Sequence, residues 1–312
     1  MNRGDPPAAE WAPEIDVDEA LVRALLREQF PDLAGLPIEP FAEGWDYAVW
    51  RVGADLAFRV PRRAIAIPGV EREIVVLPGI APLLPLPMPV PIHVGRGGER
   101  YPWPFFGARL IRGAEPSDVD LDGRRGRVGE GLGRFLRALH DPSLAARHGA
   151  GLPVDPMGRA DMTVRVPRTR DRLAALELTG LWHARADVER LFDMALALPP
   201  VGERPVLVHG DLHVRHVLVD PATGEPSGVI DWGDVCLADP AVDLSLAWSL
   251  LDATGRAAFY ASYGPVPAER RLRARILALF LNAALAQYAH DVGQRGLLTE
   301  ALAGLDRTLT GD

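Results

Sequence analysis

A chain of 312 residues with 48% hydrophobic and 24% charged side chains has an ordinary globular composition, long enough for one large domain or two lobes. That balance excludes disordered and fibrous classes. With 34 basic and 42 acidic residues the net charge is −8, which argues against a nonspecific nucleic-acid binder.

A lone cysteine, Cys236, excludes an internal disulfide and a cysteine-rich zinc site, and fits a reducing cytoplasm. No lysine occurs, so all 34 basic residues are arginine. Lysine bases, Schiff bases and phosphate-gripping lysines are excluded, and such roles fall to arginine's planar fork. The N-terminal stretch carries Asp5, Glu10 and Glu14 among prolines, without the basic start and apolar run of a secretory signal. The most apolar run, 276–286, is short and contains Asn282, so no bilayer span is expected. The expected location is the cytoplasm.

In chain order, Asp16 to Glu19 read as a capping box opening a helix to about residue 30, with Val17, Ala20, Leu21, Ala24 and Leu25 as its apolar stripe. The loop 41–46, with Gly44 and Trp45, precedes two alternating runs at 47–52 and 55–60, read as a hairpin. A helix is expected over 63–77. Residues 82–91 are proline-rich and must be extended. A second hairpin pairs 92–94 with 103–111. Beyond residue 112 the character turns helical. One helix ends near His140, and 172–198 is mostly helical with a break near Gly180. Short strands follow at 206–208, 217–219 and 229–230, then helices at 243–251 and 268–292.

The chemistry concentrates in Val208-His-Gly-Asp-Leu-His-Val-Arg-His-Val-Leu-Val-Asp220 and in Val229-Ile-Asp-Trp-Gly-Asp234. Hairpin geometry brings Asp211 and Asp231 to one edge. Two carboxylates in one cleft suit a hard divalent ion beside an acceptor for a hydroxyl proton. Asp239 and Asp243 are open to a plainer role as turn and helix caps. The His209-xxx-His213 spacing offers a zinc pair, but Gly210 places it in a loop, and no nucleophile elbow for serine chemistry occurs.

The ordered set His209-Gly-Asp-Leu-His213, Val229-Ile-Asp-Trp-Gly-Asp234, Asp239-Pro and Asp243-Leu resembles the aminoglycoside and macrolide phosphotransferases, relatives of the protein kinases. The resemblance implies an α+β, bilobal protein-kinase-like fold. A β-rich nucleotide-binding lobe would cover 1–112, and a mainly helical catalytic and acceptor-binding lobe 113–312. It implies a phosphotransferase with an alcohol group as acceptor, moving the γ-phosphate of a magnesium-bound ATP or GTP to a hydroxyl of a macrolide or aminoglycoside. A kinase of an ordinary metabolite and a non-catalytic nucleotide-binding relative are the alternatives. The implied partners are a nucleotide and a small molecule, with neither nucleic acid nor membrane.

By that resemblance Asp211 is the catalytic base or orienter and Asp231 the metal-binding aspartate. His216 stands where the family usually has a second metal-binding asparagine, and is open between metal ligand and hydrogen-bonding core histidine. Arg59 takes the place of the nucleotide-lobe lysine, with Glu73 as partner and Glu71 as competitor. Gly44 and Trp45 would cover the phosphates, and Leu110 to Arg112 would form the hinge that meets the base. Asp161, Trp182, Tyr288 and Asp291 are the acceptor-pocket candidates. Carboxylates there would suit aminoglycoside amines, and an apolar cleft a macrolide ring.

Overall fold

Ala48, Trp50 and Val52 are buried in alternation with more exposed neighbours, the pattern of a strand with one face on a core. This strand belongs to the first of two units. The first takes Met1–Ala81 and Pro89–Leu110, the second Pro82–Met88 and Ile111–Asp312. The computed structural model describes residues 13–44, 46–183, 186–202 and 204–310, so the expectation for Trp45 lies outside the described residues. The anticipated single boundary after residue 112 is replaced by three crossings. Segment 82–88 falls in the second unit because the Pro87 carbonyl accepts from Val229 N at 3.0 Å.

In the first unit, helix α1 (Glu19–Gln29) precedes strands β1 (Ile38–Glu43), β2 (Tyr47–Val52) and β3 (Leu56–Pro61), then α2 (Ile67–Ile80), β4 (Pro91–Gly95) and β5 (Phe105–Arg109). The strands form one antiparallel sheet in the order β1-β2-β3-β5-β4. Phe58, fully buried on β3, centres the core, with the Phe30 ring 5.7 Å away. Asp18, not Asp16, caps α1 by accepting from Leu21 N. Helix α2 starts four residues later than expected and runs through Pro78. Strand β1 was not foreseen. It is a mostly exposed edge strand interrupted at Pro40, so it carries no alternation.

The second unit holds α3 (Arg125–Leu139), α4 (Pro142–His148), α5 (Met162–Leu178) and α6 (Ala186–Leu196). It continues with β6 (Val206–Val208), β7 (Val217–Val219), β8 (Pro226–Val229) and β9 (Cys236–Ala238). Helices α7 (Ala241–Leu250), α8 (Ala253–Tyr263), α9 (Ala268–Asp291) and α10 (Arg295–Leu309) complete it. Strand β6 pairs with β9 and β7 with β8, both antiparallel. Every residue of α7 is buried, so it forms the centre of the unit. Helix α5 begins ten residues before the expected 172. Helices α4, α8 and α10 are additions to the sequence reading. No helix among the described residues is long and apolar enough to cross a membrane.

Helix α3 lies against α8 through glycines. A Cβ on Gly129 would sit 2.1 Å from the Gly255 carbonyl oxygen, whereas one on Gly126 meets only Thr254 Cγ2 at 3.8 Å. Gly129→Val should therefore push the helices apart at a cost of about 1–3 kcal/mol. Gly126→Ala, with room for its methyl, should be neutral or gain up to about 1 kcal/mol from helix propensity. Thermal unfolding of the two variants checks the contrast, and equal melting points would contradict the close approach.

Candidate active site

Asp243 is a fully buried carboxylate on α7. Its Oδ2 accepts from His209 N at 2.7 Å and its Oδ1 from Gly210 N at 3.1 Å, which ties down the loop leaving β6. Its Oδ2 also meets His140 Nε2 at 3.1 Å, and His140 Nδ1 lies 2.9 Å from the Tyr263 hydroxyl. Asp243 is thus a loop anchor and not the helix cap left open by the sequence. Asp239 takes the turn role, accepting from Ala241 N at 2.8 Å just before α7 while pairing with Arg270.

Beyond the anchor the chain turns at Gly210, whose φ is 93° and where a Cβ would lie 2.2 Å from the Asp234 carbonyl oxygen. Only glycine fits there. The His209 ring then bonds the Ile230 carbonyl through Nε2 at 2.9 Å and receives Asp211 N on Nδ1 at 3.3 Å. A carbonyl can only accept, so the proton is on Nε2. The ring also lies 4.7 Å from that of fully buried Trp232. His209 therefore braces the loop, and the zinc pair that its spacing to His213 offered is not formed by its bonded nitrogens.

His213 Nδ1 accepts from Arg215 N at 3.3 Å, which leaves Nε2 as the proton-bearing atom 3.6 Å from Asp211 Oδ2. His216 adopts the opposite tautomer. Its Nδ1 donates to the Asp211 carbonyl at 2.7 Å, which leaves Nε2 facing Asp231 Oδ2 at 3.4 Å. Asp211, His213 and His216 can present donor atoms within 4.8 Å of one another. Asp231 has φ 64°, a left-handed conformation that costs a non-glycine residue on the order of 1–3 kcal/mol. The expected edge carrying Asp211 and Asp231 thus exists, with His216 between them.

Burial raises the Asp211 carboxyl, but His213, His216 and Arg159 together outweigh it and hold the group far below the usual carboxylate range. Asp211 is accordingly ionised at neutral pH, and a third of its side chain is exposed. Burial, reinforced by His213, pushes the His216 imidazole down to about 3, so the ring is neutral. Arg159 donates to Asp234 at 2.9 Å from a turn in which Asp155 holds the Arg159 and Ala160 amides. Buried Arg165 lies with its guanidinium 4.3 Å from the Phe280 ring centroid. Burial and neighbouring Arg159 push Arg165 down to about 10, still charged at neutral pH.

Of the acceptor candidates, Tyr288 stands beside the loop, its ring 5.4 Å from the guanidinium of Arg215, which pairs with Glu115. Asp161 caps α5 through Thr163 N, and Trp182 is buried with its indole 3.5 Å from Asp306. Asp291 is exposed at the end of α9. In the first unit Arg59 Nε lies 3.5 Å from Oε2 of fully buried Glu73, and the guanidinium covers the Tyr47 ring at 3.7 Å. Glu71 is exposed. The Gly44 amide donates to Tyr47 O at 2.9 Å and its carbonyl accepts from Arg62, which closes the turn before β2. Leu110 is the last residue of the first unit and Arg112 lies in the second. His140, Arg159 and Glu115 were not singled out from sequence, since none belongs to a spaced motif, and Arg215, although inside the loop segment, carries no spacing signal of its own.

Residues 37–276 match the model of the phosphotransferase enzyme family. An aminoglycoside 3'-phosphotransferase of Streptomyces fradiae is 30% identical over 190 residues, 59% of this chain and 65% of that protein. The match thus spans just under two thirds of that relative's length. Among solved structures, the GDP complex of wild-type aminoglycoside 2'-phosphotransferase-IIIa has a TM-score of 0.67 at 21% identity, covering 94% of this chain and 99% of that one. Macrolide 2'-phosphotransferase from Brachybacterium faecium has a TM-score of 0.56 at 21% identity, covering 91% and 98%. At these identities the likeness establishes the kinase-like fold.

Removing the Asp243 carboxylate leaves the His209 and Gly210 amides buried without acceptors, at about 1–3 kcal/mol for each unsatisfied group. Asp243→Ala should lower the melting temperature and release the loop, which amide hydrogen exchange at 209–216 would register as lost protection. Unchanged protection would mean that the anchor lies elsewhere.

Proposed function

The chain belongs to the phosphotransferase enzyme family, and on that premise we propose that it transfers the γ-phosphoryl group of a nucleoside triphosphate, ATP or GTP, to a hydroxyl of an antibiotic-like small molecule. The observation that carries this reading is the Asp211 carboxylate: ionised, one-third exposed, and held by a loop anchored in the core. Such a group can accept a hydrogen bond from an acceptor hydroxyl, align its oxygen, and take its proton as the new P–O bond forms. His213 Nε2, facing the same carboxylate, limits the positions it can adopt.

Phosphoryl transfer depends chiefly on positioning and on stabilising spread negative charge. Asp231 and His216 would hold magnesium, and the donor set fits, since a carboxylate oxygen and an imidazole nitrogen lie 3.4 Å apart. When bound, the ion neutralises charge on the donor's phosphate oxygens. In the first unit, Arg59 would bond phosphate oxygens with its fork while Glu73 fixes its direction. Gly44 would lie over the phosphates, and backbone groups near Leu110 would meet the base. Tyr288, its ring beside Arg215, would line the acceptor site.

Charge near Asp211 bears on the acceptor. Arg159 is close enough to lower the Asp211 carboxyl, and Arg165 is close enough to Arg159 to be lowered by it. Arg159, paired with Asp234, and Arg165 reduce the negative charge around Asp211 that a polycationic aminoglycoside would use, and so favour a macrolide-like ring. The test is a panel of both classes with release of nucleoside diphosphate as readout. Turnover should appear with a macrolide and fall about 10²–10⁴-fold in Asp211→Asn, with nucleotide binding retained. Near-wild-type turnover in that variant would remove the assignment.

Asp231→Ala should abolish the tightening of nucleotide binding by magnesium, because the carboxylate at the end of β8 is the charged donor of the pair. Calorimetric titration of ADP with and without magnesium measures it. Equal tightening in both proteins would place the ion elsewhere.

A further inference from the structure

Arg165 is a buried cation whose donors are not taken up. It is 3% exposed, with its guanidinium 4.3 Å from the Phe280 ring centroid. Among the described residues no acceptor takes a hydrogen bond from it, and its Nε is buried without a partner. An aromatic face offsets only part of what such a group loses on leaving water. Helical side chains lean toward the N-terminus of their helix. Arg165, the fourth residue of α5, therefore leans toward the turn at 155–161 that carries Arg159. Arg159 gives Nη2 to Asp234 at 2.9 Å and leaves Nη1 buried without a partner. The turn's own carboxylates are engaged: Asp155 holds the Arg159 and Ala160 amides, and Asp161 the Thr163 amide and hydroxyl. Arg273, buried beside the same turn, is satisfied by the carbonyls of Ala160 and Pro199. Arg165 has neither kind of partner.

After burial, Arg159 is the strongest influence on Arg165, with Arg168 next, and Asp155 offsets them only in part, so the two guanidiniums share a positive neighbourhood. Planar forks with spare N–H groups suit the oxygens of phosphate, which can take two bonds from one arginine. We infer that Arg159 and Arg165 form a binding site for a phosphate dianion, either free or as the monoester newly formed on an acceptor hydroxyl. The monoester source rests on the function proposed above, and the free-anion source does not. No bond is made or broken at this site, which holds the group after transfer. An acceptor without an acid group would engage the two arginines only as product.

Calorimetric titration of the full chain with inorganic phosphate tests the inference. Binding should weaken about tenfold or more in Arg165→Met and in Arg159→Gln, the effect of losing a charge-assisted bond. It should be unchanged in Arg59→Met, which addresses the nucleotide lobe. A wild-type chain that takes up no phosphate would overturn the inference whatever the variants do, so misfolding of a variant cannot protect it. Binding that weakens only in Arg59→Met, or that is unaltered in a folded Arg165→Met, would overturn it too. Methyl phosphate separates the two sources: binding as tight as that of phosphate supports the monoester, and binding of phosphate alone supports the free anion. The phosphotransfer reading stands or falls separately. Turnover unaffected by Asp211→Asn would remove that reading and leave phosphate binding in place.

Discussion

The carboxylate of Asp243, fully buried on a fully buried helix, is the constraint on which the rest of the site depends. Burying a charge is costly unless hydrogen bonds replace water. Here the replacements are the His209 and Gly210 amides and His140, so the groups that offset the cost are those that set the loop's direction. The loop is thereby referenced to the core of its unit rather than to the surface. His140 ends α3 and Tyr263 ends α8, and these two helices pack through Gly129 and Gly255. A change in that packing would reach the loop through His140.

From the anchor outward, each contact fixes the next. The left-handed turn at Gly210 presents Asp211, and the Asp211 carbonyl selects the tautomer of His216. Nε2 of that ring faces Asp231, itself held in a strained left-handed conformation at the end of β8. His209 and His213 each accept a backbone N–H on Nδ1, and His216 donates from Nδ1. Three similar rings in eight residues thus do different work, because each faces a backbone group of fixed polarity.

Much of this was legible in the sequence. The β2–β3 hairpin, the strands β6 and β7 and the helix α9 carry strong periodic or apolar signals, and the structure places them within a residue or two. The spaced pair Asp211 and Asp231 is brought to one edge as expected. Elements whose stability comes from packing escaped notice: the exposed edge strand β1, the small-residue helix α8 that accepts the glycines of α3, and the early start of α5. Among side chains, Asp243 reads as a helix cap from sequence because a cap and an anchor look alike until the burial of α7 is known. Arg159 and Glu115 were silent because their partners, Asp234 and Arg215, lie 75 and 100 positions away in the chain.

The absence of lysine has a consequence that the fold makes concrete. A lysine ammonium buried like Arg165, at 3% exposure against an aromatic ring and near a second cation, would tend to lose its proton. Arginine at that position is pushed down to about 10 and keeps its charge at neutral pH. Arginine is also the cation beside Asp234, as Arg159, and the one over Tyr47 and against Glu73, as Arg59. The positive side of each of these pairs is therefore insensitive to physiological pH, and the groups left to titrate are the carboxylates and imidazoles. Burial of Asp234 raises its carboxyl while Arg159 lowers it, and the net effect is upward. As pH falls, Asp234 is thus the partner that yields first, releasing a permanently charged guanidinium behind Asp211. His213 and His216, with Arg159 after them, hold the Asp211 carboxyl low against its burial, which keeps the proposed base ionised when its neighbour is not.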